Sequence, residues 1–296
     1  MNRSYALYLF VLGAIWGSSY LFIKVGVRDL SPAVLIELRL LCAAPLLVAF
    51  AVQRYGWSAL RAAWRESIVL GVANAAVPFT LIAWGERHVD SGVAAVANSS
   101  VPIFVAILAI WFVPSERSTG WRAVGVVLGI VGVAVLAGVH PAGGWWGALG
   151  TGAIVLASVS YAISNLYAGR HMSAGGPVLA AGSMLVALVV LLPFALATLP
   201  TETPGWKSVA SGIVLGLFGT AIAQILSYRM IGRWGSSRAV LVAYMLPAFA
   251  LFYGAVFLSE PITWQKLTGL LLILAGVALG SGAVRVPRRA PVVQTP

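Results

Sequence analysis

With 296 residues, 60% of them hydrophobic and only 9% charged, and a mean hydropathy of +0.95, the chain has about a third of the charge of an ordinary soluble domain, so water is not its main solvent. Its net charge of +11 does not mark a nucleic-acid binder, because the basic residues stand singly between apolar runs and form no patch; positive-inside anchoring accounts for them. The single cysteine, Cys42, excludes an internal disulfide, and nothing in the sequence calls for a metal or other cofactor.

Crossing a bilayer takes about 20 apolar residues, with a range of roughly 17 to 25. Ten runs qualify in chain order: Tyr5 to Val25, Pro32 to Val52, Ser67 to Trp84, Ser91 to Val113, Trp121 to Val139, Trp145 to Tyr167, Pro177 to Leu199, Ser208 to Met230, Ser236 to Leu258, and Trp264 to Val284. The first is too long for the apolar region of a signal peptide and is kept as a helix. Ten spans place both termini on one side of the membrane. With the N-terminus cytoplasmic, thirteen basic residues fall inside and five outside, which fixes the expected orientation. The tail 285–296, with Arg285, Arg288 and Arg289, is expected to be a basic cytoplasmic anchor.

The second half of the chain echoes the first. Asp90 to Pro102, followed by Glu116, Gly125 and Gly132, recurs as Gly235 to Pro247, followed by Glu260, Gly269 and Gly276, at an offset of 144 to 145 residues. A repeat of this size decides the architecture before any one residue does. Since each unit holds five spans, an odd number, the second must insert upside down relative to the first. The expected fold is therefore all-α: ten transmembrane helices as two inverted five-helix repeats, 1–139 and 140–284, around a central cavity. Such repeats let one chain encode two access states, which is the geometry of a transporter.

Several residues make this pattern resemble a known family. Trp16-Gly-Ser-Ser with Lys24, Pro32 with Arg39, Ala94 to Pro102 with Glu116 and Gly125, and the second-half pair Tyr161 and Arg170 resemble the EamA family of the drug/metabolite transporter superfamily, over roughly Tyr5 to Gly282. The resemblance implies a basket of ten helices with a cavity open to one side, and export of amino acids or related metabolites. It says little about the individual substrate, because these motifs mostly describe helix packing.

Charges and amides inside the spans are the first site candidates. Glu37 and Arg39 lie within the second span, where a charge costs at least about 2.5 to 3.5 kcal/mol and normally faces a cavity or a partner. Two residues apart, they point about 200° from one another, so each needs its own partner. Arg39 is a candidate anchor for a substrate carboxylate and Glu37 a candidate proton or cation site; alternatively, Arg39 snorkels to the helix end and Glu37 bonds a neighbouring helix. Asn74 and Asn98 each precede a proline, Pro78 and Pro102, by four residues. Their side chains can satisfy the carbonyl that the proline leaves unpaired, or face a ligand at the opened helix. Pro247 repeats the proline without the asparagine.

Trp16 and Tyr20, with Tyr161 and Asn165 on the equivalent sixth span, are candidates for a cavity wall, as are Gln224 and Tyr244 by depth, with Trp84 undecided at a helix end. Trp57, Trp64, Trp121, Trp145, Trp146, Trp206 and Trp264 read as interfacial belt. The small-xxx-small spacings at Gly125, Gly212 and Gly276 imply helix packing, with the fifth and tenth spans forming structural contacts or a dimer face rather than cavity wall. Glu116 and Glu260 read as charges at the start of the spans that follow them.

The function expected is a secondary active transporter of the bacterial cytoplasmic membrane, exporting amino acids or related small metabolites, as monomer or homodimer, with a small solute and membrane lipid as its partners. A uniporter or channel-like facilitator and an uptake permease remain open. An intramembrane enzyme is disfavoured: the three histidines fall in loops, and the sequence has no H-E-x-x-H, no P-loop and no paired intramembrane aspartates.

Overall fold

The computed structural model describes residues 3–112, 121–137, 144–171, 174–235, 239 and 241–280, and among these every regular element is helical. Eight helices are long and apolar enough to cross a membrane, and two shorter apolar ones accompany them. We number them α1 (Arg3–Gly26), α2 (Pro32–Tyr55), α3 (Trp64–Gly85), α4 (Ser91–Asn98 and Val101–Phe112), α5 (Trp121–Ala137), α6 (Gly144–His171), α7 (Gly176–Ala197), α8 (Trp206–Trp234), α9 (Leu241–Leu258) and α10 (Trp264–Gly280). Glu116 and the tail from residue 285 lie outside the described residues.

Local chemistry sets the boundaries. The Ser31 hydroxyl accepts the Val34 N–H at 3.2 Å and Pro32 opens the first turn of α2, where a missing N–H does no harm. Gly56 and Gly235, with φ of 81° and 84°, end α2 and α8 in a region that side chains other than glycine avoid. Around the outside, Leu7, Phe10, Val189, Phe252 and Leu271 are exposed, as lipid-facing residues must be. Trp57, Trp64, Trp145, Trp146, Trp206 and Trp264 are also exposed near helix ends, where an interfacial belt sits. The Trp121 side chain is outside the described residues.

Packing runs mainly between the two halves of the chain. α5 lies along α10, α2 along α7, α1 along α9, and α6 along α4; α3 packs on α6 and α7, and α8 on α1 and α2. Glycines permit the closest approaches. A Cβ on Gly276 would stand 2.6 Å from the Gly125 carbonyl and the Gly129 nitrogen, and one on Gly216 would stand 2.5 Å from the Arg39 carbonyl, so neither position has room for a side chain.

Among the described residues two helices widen and one breaks. Over Val72–Ala76 in α3 and Leu215–Ile222 in α8 the backbone is π-helical, a geometry found often at functional sites. In α3 the widening comes just before Pro78, whose nitrogen cannot bond the Asn74 carbonyl, and the Val77 N–H reaches back to Val72 instead. α4 breaks at Ser99–Ser100, just before Pro102, whereas α9 continues through Pro247. Pro78, Pro102 and Pro247 are expected from the sequence as kinks; the backbone is π-helical before the first, broken before the second and helical through the third. The Ser99 and Ser100 hydroxyls donate to the Ala95 and Ala97 carbonyls at 2.9 and 2.6 Å, side-chain bonds that stabilise the break; at the corresponding positions of α9, Tyr244 and Met245 replace the two serines.

Candidate functional site

A cavity of about 580 Å³ lies between the halves, with walls from α1, α2, α3, α4, α6, α8, α9 and α10. It is asymmetric along the bundle. Ile231 near the end of α8, Ala239 and Val242 carry the lining to the end of the bundle where α8 meets α9. At the opposite end, none of the residues 27–31, 86–90, 198–205 or 259–263 takes part in it.

Polar ties between the halves hold that second end together. The Glu260 carboxylate accepts the Ser91 N–H at 2.8 Å, the Ser91 hydroxyl at 2.9 Å and the Gly92 N–H at 3.2 Å. Lys266 pairs with Asp90 at 2.7 Å. Asp29 accepts from the Ser208 hydroxyl at 2.7 Å and the Gly205 N–H at 3.1 Å, and Ser31 bonds Thr198 at 2.8 Å. Within the first half, Lys24 closes the same end by donating to the Glu86 and Val89 carbonyls at 2.6 and 2.7 Å. Glu260 thus serves as a helix-terminal charge, but on α4 rather than on the α10 it precedes. Asp90, in the N-cap position of α4, makes no capping bond of its own and serves Lys266.

Arg39 dominates the interior. It is 6% exposed and lines the cavity. Its Nε donates to Thr220 Oγ1 at 2.7 Å, and its guanidinium lies 3.8 Å from the centre of the Phe79 ring, a stacking geometry that leaves the guanidinium edge free for planar recognition. Thr220 in turn donates to the Leu215 carbonyl at 3.0 Å, five residues back. The π-helical turn of α8 therefore fixes the hydroxyl that fixes the arginine. Among the described residues Arg39 has no carboxylate partner.

Trp16, Tyr20, Arg39, Asn74, Asn98, Tyr161, Asn165, Gln224 and Tyr244 all line this one cavity, as does Pro102. Pro78 and Pro247 are buried behind it. Neither asparagine repairs its helix. Asn98 donates to Tyr20 OH at 2.9 Å and accepts from Ser158 at 3.3 Å, joining α4 to α1 and α6. Beside Asn74, which lines the cavity, the Ala73 carbonyl accepts from the Ser160 hydroxyl of α6 at 2.8 Å.

Glu37 and Trp84 are not brought to the cavity. With Arg39 turned inward, the 200° offset between them points Glu37 away; it is 5% exposed, and neither carboxyl oxygen has a hydrogen-bond partner among the described residues. Trp84 packs on His88, which stacks on Trp146, at the closed end. α10 departs from expectation too, since it packs on α5 yet lends Leu274 and Val277 to the wall. Phe79 and Thr220 were not foreseen: an aromatic and a threonine in apolar spans carry no signal until Arg39 is seen against them. Among the described residues no three His, Cys, Asp or Glu side chains gather as metal ligands.

The EamA-like transporter family model matches residues 3–138 and again 148–282. The chain belongs to the EamA-like transporter family. Among related proteins, the uncharacterized inner membrane transporter YedA of Escherichia coli strain K12 is 30% identical, covering 97% of this chain and 94% of its own length. An uncharacterized transporter of Archaeoglobus fulgidus is 28% identical over 88% of this chain and 93% of its own. A Salmonella typhimurium protein named Probable amino-acid metabolite efflux pump is 28% identical, with 99% of each chain covered. One crystal structure superposes with a TM-score of 0.65 at 19% identity, covering 95% of this chain and 98% of the other, a likeness of fold. This EamA protein is accordingly a multi-pass membrane transporter.

Proposed function

We propose that this EamA transporter is a secondary exporter of the bacterial inner membrane, carrying amino acids or related small metabolites by alternating access. In this reading the ten helices form two inverted five-helix units, 1–139 and 140–284, with both termini and the tail 285–296 in the cytoplasm. The packing pairs support it. Exchanging each helix for its equivalent five places on turns α1–α9 into α6–α4, α3–α6 into α8–α1 and α2–α8 into α7–α3, all of them contacts made here, while α5–α10 and α2–α7 map onto themselves. The two π-helical stretches, Val72–Ala76 and Leu215–Ile222, fall at the repeat offset as well.

The observation that carries the proposal is a cavity closed at one end by bonds between the halves, extending to the other end, and holding an arginine with no carboxylate partner among the described residues. Given the positive-inside orientation, the extended end is cytoplasmic and the conformation faces inward. A buried charge of this kind marks a solute path by default. The name of the Salmonella relative supports amino-acid metabolites as the solute class. Purified protein in liposomes, loaded with a panel of amino acids and their metabolites and assayed with and without a pH gradient, tests it. Saturable flux without ATP that falls at least about tenfold in Arg39→Gln is expected; flux unaffected by that substitution refutes the site.

A further inference from the structure

The charge balance of the cavity narrows the solute beyond the amino-acid class. Among the described residues that line the cavity, Arg39 is the one charged side chain, and no aspartate or glutamate accompanies it. Two buried acids stand outside the described lining: Glu37, on α2, and Glu86, which is fully buried at the closed end. The guanidinium spends Nε on Thr220 and one face on Phe79, so its outer nitrogens are the strongest unspent donors in the cavity, shaped for a carboxylate.

The wall also has a direction. Arg39 stands two turns from the closed end of α2; toward the extended end the lining is largely apolar, at Ile231, Val242, Leu246, Leu274 and Val277, with the uncharged Ser227 and Tyr244 among them. The remaining polar side chains in the lining are uncharged amides and hydroxyls. An ammonium group entering here would leave water beside a fixed positive charge, with no carboxylate to receive it.

We propose that the preferred solute is an organic monoanion, its carboxylate on Arg39 and an uncharged, largely apolar body directed toward the extended end, in preference to a zwitterion carrying the same body. The proposal rests on reading this cavity as the transport site.

Binding to the purified full-length protein in detergent, followed by thermal stabilisation at pH 7.5, tests it with matched solutes: 3-phenylpropanoate against phenylalanine and against 3-phenylpropanamide, and 4-methylpentanoate against leucine. The acids are expected to bind at least about tenfold tighter than either counterpart, and Arg39→Gln is expected to erase the difference between acid and amide. The ranking on the unaltered protein stands without the variant, should Arg39→Gln fold poorly. Amino acids that bind as tightly as their acids, with binding still lost in Arg39→Gln, overturn the monoanion preference while leaving the cavity as the site. Acids and amides that bind alike, unaffected by Arg39→Gln, overturn the monoanion proposal and the site together.

Discussion

Replacing Glu260 by alanine removes the acceptor for two backbone N–H groups and one hydroxyl at the start of α4, bonds of 2.8, 3.2 and 2.9 Å. Loss of an N-terminal cap costs about 0.5 to 2 kcal/mol, and loss of a negative charge beside the positive end of a helix about 0.3 to 1 kcal/mol more. Asp90, in the N-cap position, is held to Lys266 through Oδ2 and makes no capping bond of its own. The total is about 2 kcal/mol, which is a factor of about thirty in a two-state population. Since these bonds join the halves at the closed end, the same change should favour opening there. Thermal unfolding in detergent checks the first effect: the midpoint should fall by roughly 4 to 8 °C. Gly254→Ala should act similarly, because a Cβ there would stand 2.5 Å from Glu260 Oε2. Midpoints within about 1 °C of the parent protein for both variants would refute the cap.

Other consequences follow from single contacts. Ser259 adopts φ 58° immediately before Glu260, a left-handed conformation costly for serine, so Ser259→Gly should raise stability by about 1 kcal/mol in the same unfolding assay. Thr220→Val should leave the fold intact but release Arg39 Nε, weakening carboxylate binding by about 1.5 to 3 kcal/mol in titrations. Val on Gly276 should disrupt the contact of α10 with α5 and cut folded yield measured by size-exclusion chromatography, since its side chain meets backbone on Gly125 and Gly129.

Glu86 links the closed end to pH. Burial holds its pKa well above the usual carboxylate range; Lys24 on α1 opposes the shift and Glu260, from the turn after α9, adds to it, with Tyr20 of α1 also nearby. A raised carboxyl pKa contributes stability that is fully present below the unfolded value and is lost as pH rises through the folded one. Thermal stability should therefore decline with rising pH in the parent protein, and Glu86→Gln should flatten that decline. An unchanged slope in Glu86→Gln contradicts the assignment.

Much of this was legible in the sequence because bilayer solvation leaves strong marks. Apolar runs, the 144-residue echo and the isolated Arg39 each report a cost that water would not impose, and nine of the eleven cavity residues read from depth and chemistry do share one cavity. The geometry of one helix also explains the main miss: once Arg39 faces inward, Glu37 cannot. What stayed hidden depends on partners distant in sequence. Asn98 looked like a repair for its own helix, but its side chain bonds Tyr20 and Ser158 on two other helices. Glu260 looked like a cap on its own helix, and only the fold brings α4 beneath it.

The central claim is that solute occupies the cavity around Arg39, and site-directed protection tests it most directly. In a Cys42→Ser background, Ala243→Cys places a thiol on the lining and Phe252→Cys places one on the exposed outer face. A small polar thiol reagent should label position 243, and a transported solute should slow that labelling in proportion to its occupancy while leaving position 252 unaffected. Labelling at 243 that is indifferent to every transported solute contradicts the account.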